Sequence, residues 1–157
     1  MSLLAQYREA RRDEDVARLR RILALRALGA TGMSQRQVAQ ALGVSQPAVS
    51  QQLKAGHQLG DVHPEVLIEA AAPILRSIAA EHGYSDPAVF GSVARHDARA
   101  DSDIDLIVKA PEGTSSFDFI RFQRLLEQVL GREIDLVEYG GLRPGRDDDV
   151  RREAVLL

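Results

Sequence analysis

The first third of the chain has the apolar periodicity of helices. Residues 14–28 carry apolar side chains at helical spacing on one face, which predicts an amphipathic helix. Two shorter helices are predicted over residues 34–42 and 45–54. Each begins at a serine, which is a favourable N-cap residue, and Gly43 provides the turn between them. A short helix, a glycine turn and a second helix form the pattern of a helix-turn-helix.

The remainder of the chain mixes helical and strand patterns. Residues 64–82 and 116–130 have apolar residues at helical spacing, and a glycine follows each segment. Pro73 lies inside the first of these helices. Because proline lacks a backbone N–H and clashes with the preceding turn, we expect a kink or break near Ala72.

Three short segments of the second half read as strands. Residues 89–90 form a short apolar strand that ends at a glycine, and residues 103–108 and 133–137 begin with alternating acidic and apolar residues. Successive strand side chains point to opposite faces, so Asp103 and Asp105 share one face while the apolar residues between and after them face a core.

The acidic faces of these strands suggest a metal site. Two residues of strand place Asp103 and Asp105 roughly 6–7 Å apart at Cα, and their oxygens could hold metal ions about 3.5–4 Å apart. Mg²⁺ suits this arrangement, since it takes oxygen ligands from one or two carboxylates together with substrate phosphates. Asp135 would project from the polar face of the neighbouring strand.

A glycine-serine turn before the acidic strand suggests phosphate binding. Gly91 lets the backbone approach a phosphate closely, and the N–H groups at the start of the following helical turn favour anions. Ser92 adds a hydroxyl donor and Arg95 a cation. Alone, a Gly-Ser pair is usually a turn and an Asp-x-Asp pair is usually a solvated strand edge. Their order and spacing together favour a nucleotide and metal site.

The motif Gly91-Ser92, ten residues, Asp103-Ile104-Asp105 resembles that of the minimal nucleotidyltransferases of the DNA polymerase β superfamily. The resemblance extends over about residues 66–157. It implies an α+β fold with a mixed sheet flanked by helices, ATP as the donor and two Mg²⁺ ions. It also implies the roles of the site residues: phosphate binding by Gly91 and Ser92, and catalysis and metal binding by Asp103, Asp105 and Asp135. His96 stands where many relatives have glycine.

Residues 34–54 resemble the helix-turn-helix of bacterial transcription regulators. Glutamine and serine can bond to base edges, and lysine and arginine to phosphates. We expect double-stranded DNA as a partner and a homodimer on a palindromic site. The alternative is a structural or dimerising module. The candidate DNA-binding residues are Arg36, Ser45, Gln46, Ser50, Gln51 and Lys54.

The distribution of charge along the sequence supports a division of the chain into two domains. Residues 1–60 contain nine Lys and Arg against four Asp and Glu, a net charge of +5, while residues 61–157 contain eleven against nineteen, a net charge of −8. A basic part joined to an acidic part indicates different partners for each. We expect a helix-turn-helix domain over 1–56, a linker over 57–63 and a nucleotidyltransferase domain over 64–157.

Composition excludes several classes of protein. The 157 residues include no cysteine, so disulfides and thiolate zinc sites are excluded. The sequence has no signal-peptide run and no stretch near the roughly 20 apolar residues of a membrane span, so we expect a cytoplasmic protein without membrane contact. The four histidines lack metal-ligand spacing, and His57 and His63 are expected to be solvated in the linker.

Helix-turn-helix-fused members of the resembled family are similar to antitoxins paired with HEPN-domain ribonuclease toxins. This resemblance implies transfer of AMP from ATP to a hydroxyl of the toxin, commonly a tyrosine, together with autoregulation through DNA binding. Two alternatives stay open. The chain could be a transcription regulator whose transferase domain is a sensor or interaction module, or an adenylyltransferase of small molecules such as antibiotics.

Overall fold

The computed structural model of the protein describes residues 1–157, except for the side chains of His57 and Gln58. The predicted solvation of His57 therefore lies outside the described residues. The N-terminal part is helical. Its elements are α1 (Leu3–Ala30), α2 (Gln35–Leu42), α3 (Gln46–Ala55) and a 3-10 helix (Gly56–Asp61).

The two short helices begin and end as their sequences predict. Ser34 and Ser45 are the N-caps of α2 and α3, and their hydroxyls accept hydrogen bonds from backbone N–H groups of the first turn. Gly43 follows α2 in a left-handed conformation with φ of 68°, which costs glycine little. The predicted helix-turn-helix is therefore present.

Helix α1 is much longer than predicted. It begins at Leu3 rather than near residue 14, with Ser2 as its N-cap. Val16 is the first buried residue of this helix, so the preceding turns have no apolar stripe for periodicity to detect. They consist largely of strong helix formers such as leucine, alanine, arginine and glutamate, whose propensity favours the extension.

Helix α4 (Pro64–Glu81) continues through Pro73, so the break that the sequence predicts is absent. Proline provides no N–H for the carbonyl of Glu69 four residues earlier. Arg20 of α1 supplies a donor in its place: its Nη2 donates to Glu69 O at 3.2 Å, and its Nε donates to the neighbouring Ala70 O at 2.9 Å. The contact between Arg20 of α1 and the backbone of α4 thus compensates for the hydrogen bond that Pro73 cannot make.

The C-terminal part is a four-stranded mixed sheet with helices. The elements are β1 (Ser85–Phe90), α5 (Gly91–Ala94), β2 (Ile104–Lys109), α6 (Ser116–Leu130), β3 (Ile134–Glu138), a 3-10 helix (Tyr139–Gly141), α7 (Asp148–Glu153) and β4 (Val155–Leu156). Strand order is β3-β2-β1-β4; β1 is antiparallel to both β2 and β4, and β2 is parallel to β3. The α+β class predicted from the sequence is confirmed.

Helix α1 contributes to both hydrophobic cores. The smaller core lies in the helix-turn-helix, where Leu25 packs with Val38, Ala39 and Val49. The larger core joins Val16, Leu19, Leu23 and Ala27 of α1 to α4, α6 and the sheet. It also contains Leu59, which is 4% exposed, so the segment predicted as a linker is partly packed against the sheet domain. The domain boundaries themselves stay a prediction.

The described helices include none that is both long enough and apolar enough to cross a membrane.

Candidate active site

The glycine-serine turn lies directly against an acidic strand residue. Strand β1 ends at Phe90, and Gly91 turns into α5 with φ of 68°. A Cβ added at Gly91 would overlap Oδ2 of Asp105 and lie 3.1 Å from its Cγ. Any other residue would be strained by the positive φ and would require the Asp105 carboxylate to move. The absent side chain allows the turn and the carboxylate to meet.

Asp105 and Asp135 face each other across two strands. They are register partners in the parallel pair of β2 and β3, and Asp105 is half-buried while Asp135 is exposed. Burial raises the pKa of the Asp105 carboxyl from 3.8 to about 6, helped by the charge of Asp135, a hydrogen bond to it and the charge of Asp103. Three acidic groups this close oppose one another's ionisation unless a cation joins them.

Asp103 is less constrained than the other two carboxylates. Strand β2 begins at Ile104, so Asp103 lies just before the sheet, and its side chain is exposed. Asp103 and Asp105 line one cleft, whereas Asp135 does not. Among the described side chains, no three His, Asp or Glu residues already converge on one point that could hold a metal ion.

The residues nevertheless fit a hard divalent cation such as Mg²⁺. Asp103, Asp105 and Asp135 supply only carboxylate oxygens, the donor type that Mg²⁺ prefers, and such sites commonly share their ion with substrate phosphates. Burial is the main cause of the raised pKa of Asp105, and the charges of Asp135 and Asp103 add to it, so a cation bound beside Asp105 would favour its ionised form. A divalent ion bound by these carboxylates would neutralise negative charge on the phosphates of the substrate.

Arg95 lines the cleft but is already paired. Its Nη1 donates to both carboxylate oxygens of Glu153, at 3.1 and 3.2 Å, and its Nε donates to Asp97 at 3.4 Å. These hydrogen bonds raise the pKa of the Arg95 guanidinium. The sequence predicts Arg95 as a phosphate-binding cation. In this structure it joins the end of α5 to α7.

The cleft has a volume of about 450 Å³ and is open to solvent. Sequence reasoning missed the contribution of α7, a short helix whose charged residues follow no motif. It also missed Ser102 as a site residue, immediately before the acidic strand. The cleft is lined by Phe90, Gly91, Ser92, Arg95, Ser102, Asp103, Asp105, Asp149, Val150 and Glu153.

His96, at the position where many relatives have glycine, adopts a left-handed conformation with φ of 60°. A glycine would take this conformation without strain, whereas histidine does so less often. Its Nδ1 lies 3.0 Å from Oε1 of Glu65 in the first turn of α4. The histidine therefore preserves the turn after α5 and adds an anchor to α4.

The candidate DNA-binding residues lie on or beside the two short helices. Arg36, Gln46, Gln51 and Lys54 are exposed, and Ser50 is half-buried. Ser45 is exposed, but its hydroxyl accepts a hydrogen bond from Ala48 N at 3.2 Å as the cap of α3. Within α3, Val49 is buried, Leu53 packs partly against the small core, and half of the residues are exposed.

Comparison with known proteins assigns both parts of the chain. Residues 74–157 match the family described as nucleotidyltransferase domain, and residues 15–58 match the family described as homeodomain-like domain. The chain belongs to the nucleotidyltransferase domain family. This nucleotidyltransferase resembles a solved structure that is provisionally described as a minimal nucleotidyltransferase. Sequence identity is 41% and the TM-score 0.54, covering 59% of this chain and 95% of that one.

Two curated relatives are archaeal. MJ0435 of Methanocaldococcus jannaschii, provisionally named a protein adenylyltransferase, is 40% identical over 75 residues, which cover 48% of this chain and 81% of the relative. Protein adenylyltransferase MntA of Thermococcus cleftensis is 39% identical over 75 residues, covering 48% of this chain and 76% of the relative.

These matches confirm the resemblance drawn from the sequence, and the chain is a nucleotidyltransferase fused to a homeodomain-like helix-turn-helix. Enzymes of this kind use a nucleoside triphosphate and a divalent metal. The roles of individual site residues stay predictions.

Proposed function

We propose that this nucleotidyltransferase moves AMP from ATP to a hydroxyl side chain of a partner protein. The observation that carries the proposal is the open cleft in which the glycine-serine turn contacts the Asp105 carboxylate. The curated relatives with matching sequence are named protein adenylyltransferases, which supports a protein acceptor.

The roles in the proposed chemistry come from the resemblance of the motif, and the placement of Gly91, Asp103 and Asp105 at one cleft supports them. The backbone at Gly91 and the Ser92 hydroxyl would hold the triphosphate, and Asp103 and Asp105 would hold Mg²⁺, with two ions expected. Asp135 would accept the proton of the acceptor hydroxyl and would also contribute to metal binding. The acceptor oxygen forms a bond to the α-phosphorus, the bond from that phosphorus to the bridging oxygen breaks, and pyrophosphate leaves.

The shape of the cleft favours a macromolecular acceptor. Pockets for small molecules usually bury most of the ligand surface, whereas this cleft is open to solvent. A protein that presents a side chain would complete the site with its own surface. We propose a tyrosine of a HEPN-type toxin as the acceptor, on the basis of the resemblance to antitoxins.

Intact mass spectrometry tests the proposal. The partner toxin is incubated with this chain, ATP and Mg²⁺, and is then weighed. We expect a mass gain of one or more AMP units, which Asp103→Asn abolishes. An unmodified toxin, combined with efficient labelling of an antibiotic or of tRNA, would contradict a protein acceptor.

We further propose that the helix-turn-helix binds promoter DNA as a homodimer and so autoregulates expression. The net charge of +5 in residues 1–60 and the exposed polar surface of α3 support this proposal. Electrophoretic mobility shifts of the full chain with its own promoter test it. Absence of salt-sensitive binding would leave the module with a structural role.

A further inference from the structure

The position of Asp103 depends on contacts outside the sheet. The ladder between β2 and β3 begins at the pair Ile104 and Ile134, so no ladder bond described for this pair holds Asp103 or the residues before it. Residues 95–103 form an irregular segment between α5 and β2. A candidate metal ligand at the end of such a segment needs other restraints to keep its orientation.

Arg132 supplies restraints to this segment. Its Nη2 donates to Ser102 O at 3.2 Å and to Ala100 O at 3.4 Å, and its Nη1 donates to Val62 O at 3.0 Å. Ser102 and Arg132 each lie two residues before the first ladder pair of their strands. The guanidinium therefore connects the two chain segments just before the first backbone pair of the ladder.

The bond to Ser102 acts directly on Asp103. The carbonyl of Ser102 and the N–H of Asp103 belong to one planar peptide group. A hydrogen bond that fixes the carbonyl therefore also fixes the orientation of the peptide plane that leads to the Cα of Asp103. Other restraints hold the earlier part of the segment: Nε2 of His63 lies 3.0 Å from Ala98 O, and Arg99 N donates to the Ser102 hydroxyl at 2.7 Å.

We propose that Arg132 is a positioning residue, which holds Asp103 in the orientation required for binding metal beside Asp105 and Asp135. It donates to backbone carbonyls and acts only through the segment that carries Asp103. The inference rests on the metal-binding role proposed for Asp103.

The contacts require an arginine in particular. A guanidinium has five N–H donors in a rigid plane, whereas a lysine ammonium is a compact charge on a flexible chain. The carbonyls of Val62 and Ser102 are bound from different nitrogens of Arg132. A lysine can reach one of these carbonyls but cannot hold both in a fixed geometry.

The test compares Arg132→Lys with a matched control, Arg26→Lys. Arg26 also donates to two backbone carbonyls, Val129 O at 2.9 Å and Gln128 O at 2.7 Å, but these lie at the end of α6. Mn²⁺ affinity in the presence of α,β-methylene ATP is measured by electron paramagnetic resonance, and amide hydrogen exchange is measured over residues 98–104. Neither measurement needs an acceptor protein.

We expect Arg132→Lys to weaken Mn²⁺ binding by about 10- to 100-fold, as is typical for residues that orient metal ligands. It should also accelerate exchange in residues 98–104, while Arg26→Lys changes neither. Wild-type Mn²⁺ affinity in Arg132→Lys would overturn the inference, as would a change confined to thermal stability.

Two further variants distinguish failure of the positioning role of Arg132 from failure of the proposed metal site. Arg132→Ala is measured with added methylguanidinium, which should restore Mn²⁺ affinity, and with ethylammonium, which should not. Equal results with the two cations would contradict the inference. Asp103→Asn should itself weaken Mn²⁺ binding. If it does not, the proposed metal site fails; if it does while Arg132→Lys has no effect, only the positioning role fails.

Discussion

Removing the charge of Asp105 should stabilise the metal-free protein at neutral pH, although it should abolish activity. The carboxyl has its pKa raised from 3.8 to about 6, mainly by burial and then by Asp135 and Asp103. A carboxyl whose pKa is raised by folding contributes stability that is present below its unfolded pKa. That stability is lost as the pH rises through the folded pKa near 6.

The size of the effect follows from this shift. About two pKa units correspond to at most about 3 kcal/mol. Asp105 is only half-buried, and solvent screening reduces the value, so we expect roughly 1 to 1.5 kcal/mol. For a protein of this size, that corresponds to a rise of about 2–6 °C in the melting temperature of Asp105→Asn. The asparagine has nearly the same shape and can still hydrogen-bond to Asp135.

Thermal unfolding in EDTA between pH 4 and pH 8 measures the effect. The melting temperature of Asp105→Asn should match that of the wild type near pH 4 and exceed it above pH 6. Asp13→Asn, which removes an exposed carboxylate on α1, is the control and should show no such gap. Mg²⁺ with ATP should raise the melting temperature of the wild type and close the gap.

Two outcomes would refute this reasoning. Equal melting temperatures at pH 8 would show that the Asp105 charge carries no cost in the folded protein. A gap that is as large at pH 4 as at pH 8 would show that the asparagine stabilises the fold through contacts and that charge is not the cause.

Four further predictions concern the site and the helix-turn-helix. Gly91→Ala should lower ATP affinity and stability, because the methyl group meets the Asp105 carboxylate at positive φ; unchanged affinity by calorimetry would contradict this contact. Asp103→Asn should nearly abolish AMP transfer in a mass assay with its fold intact by circular dichroism, and full activity would remove it from the site. Asp135→Asn should slow transfer by about 10²- to 10⁴-fold with little loss of ATP affinity, whereas equal losses would indicate a purely metal-binding or structural role. Lys54→Ala should weaken DNA binding and lower the slope of log affinity against log salt by about one; an unchanged slope would argue against a phosphate contact.

Local sequence determined those features that depend on near neighbours. The serine caps and the glycine turn fix α2 and α3, because the groups that bond are only a few residues apart. The alternation of acidic and apolar residues likewise identifies β2 and β3, and the apolar residues between the carboxylates are buried. The family and the α+β fold could therefore be recognised from the order of residues alone.

Tertiary structure decided how distant segments meet. Arg20 compensates for Pro73 from another helix, and Arg132 bonds to carbonyls that lie 30 or more residues away in the chain. The pairing of Arg95 with Glu153 joins α5 to a helix near the C-terminus. No sequence spacing encodes these contacts, because they depend on the relative placement of elements.

The acidic site shows the same division. The sequence determined which residues carry carboxylates and predicted Asp103 and Asp105 on one face of a strand, whereas in the structure β2 begins at Ile104 and Asp103 lies just before it. Only the fold places Asp135 opposite Asp105, and only the fold places the glycine-serine turn against the Asp105 carboxylate. The raised pKa of Asp105 follows from that placement, because burial and the distance between charges are properties of the folded chain and not of its order of residues.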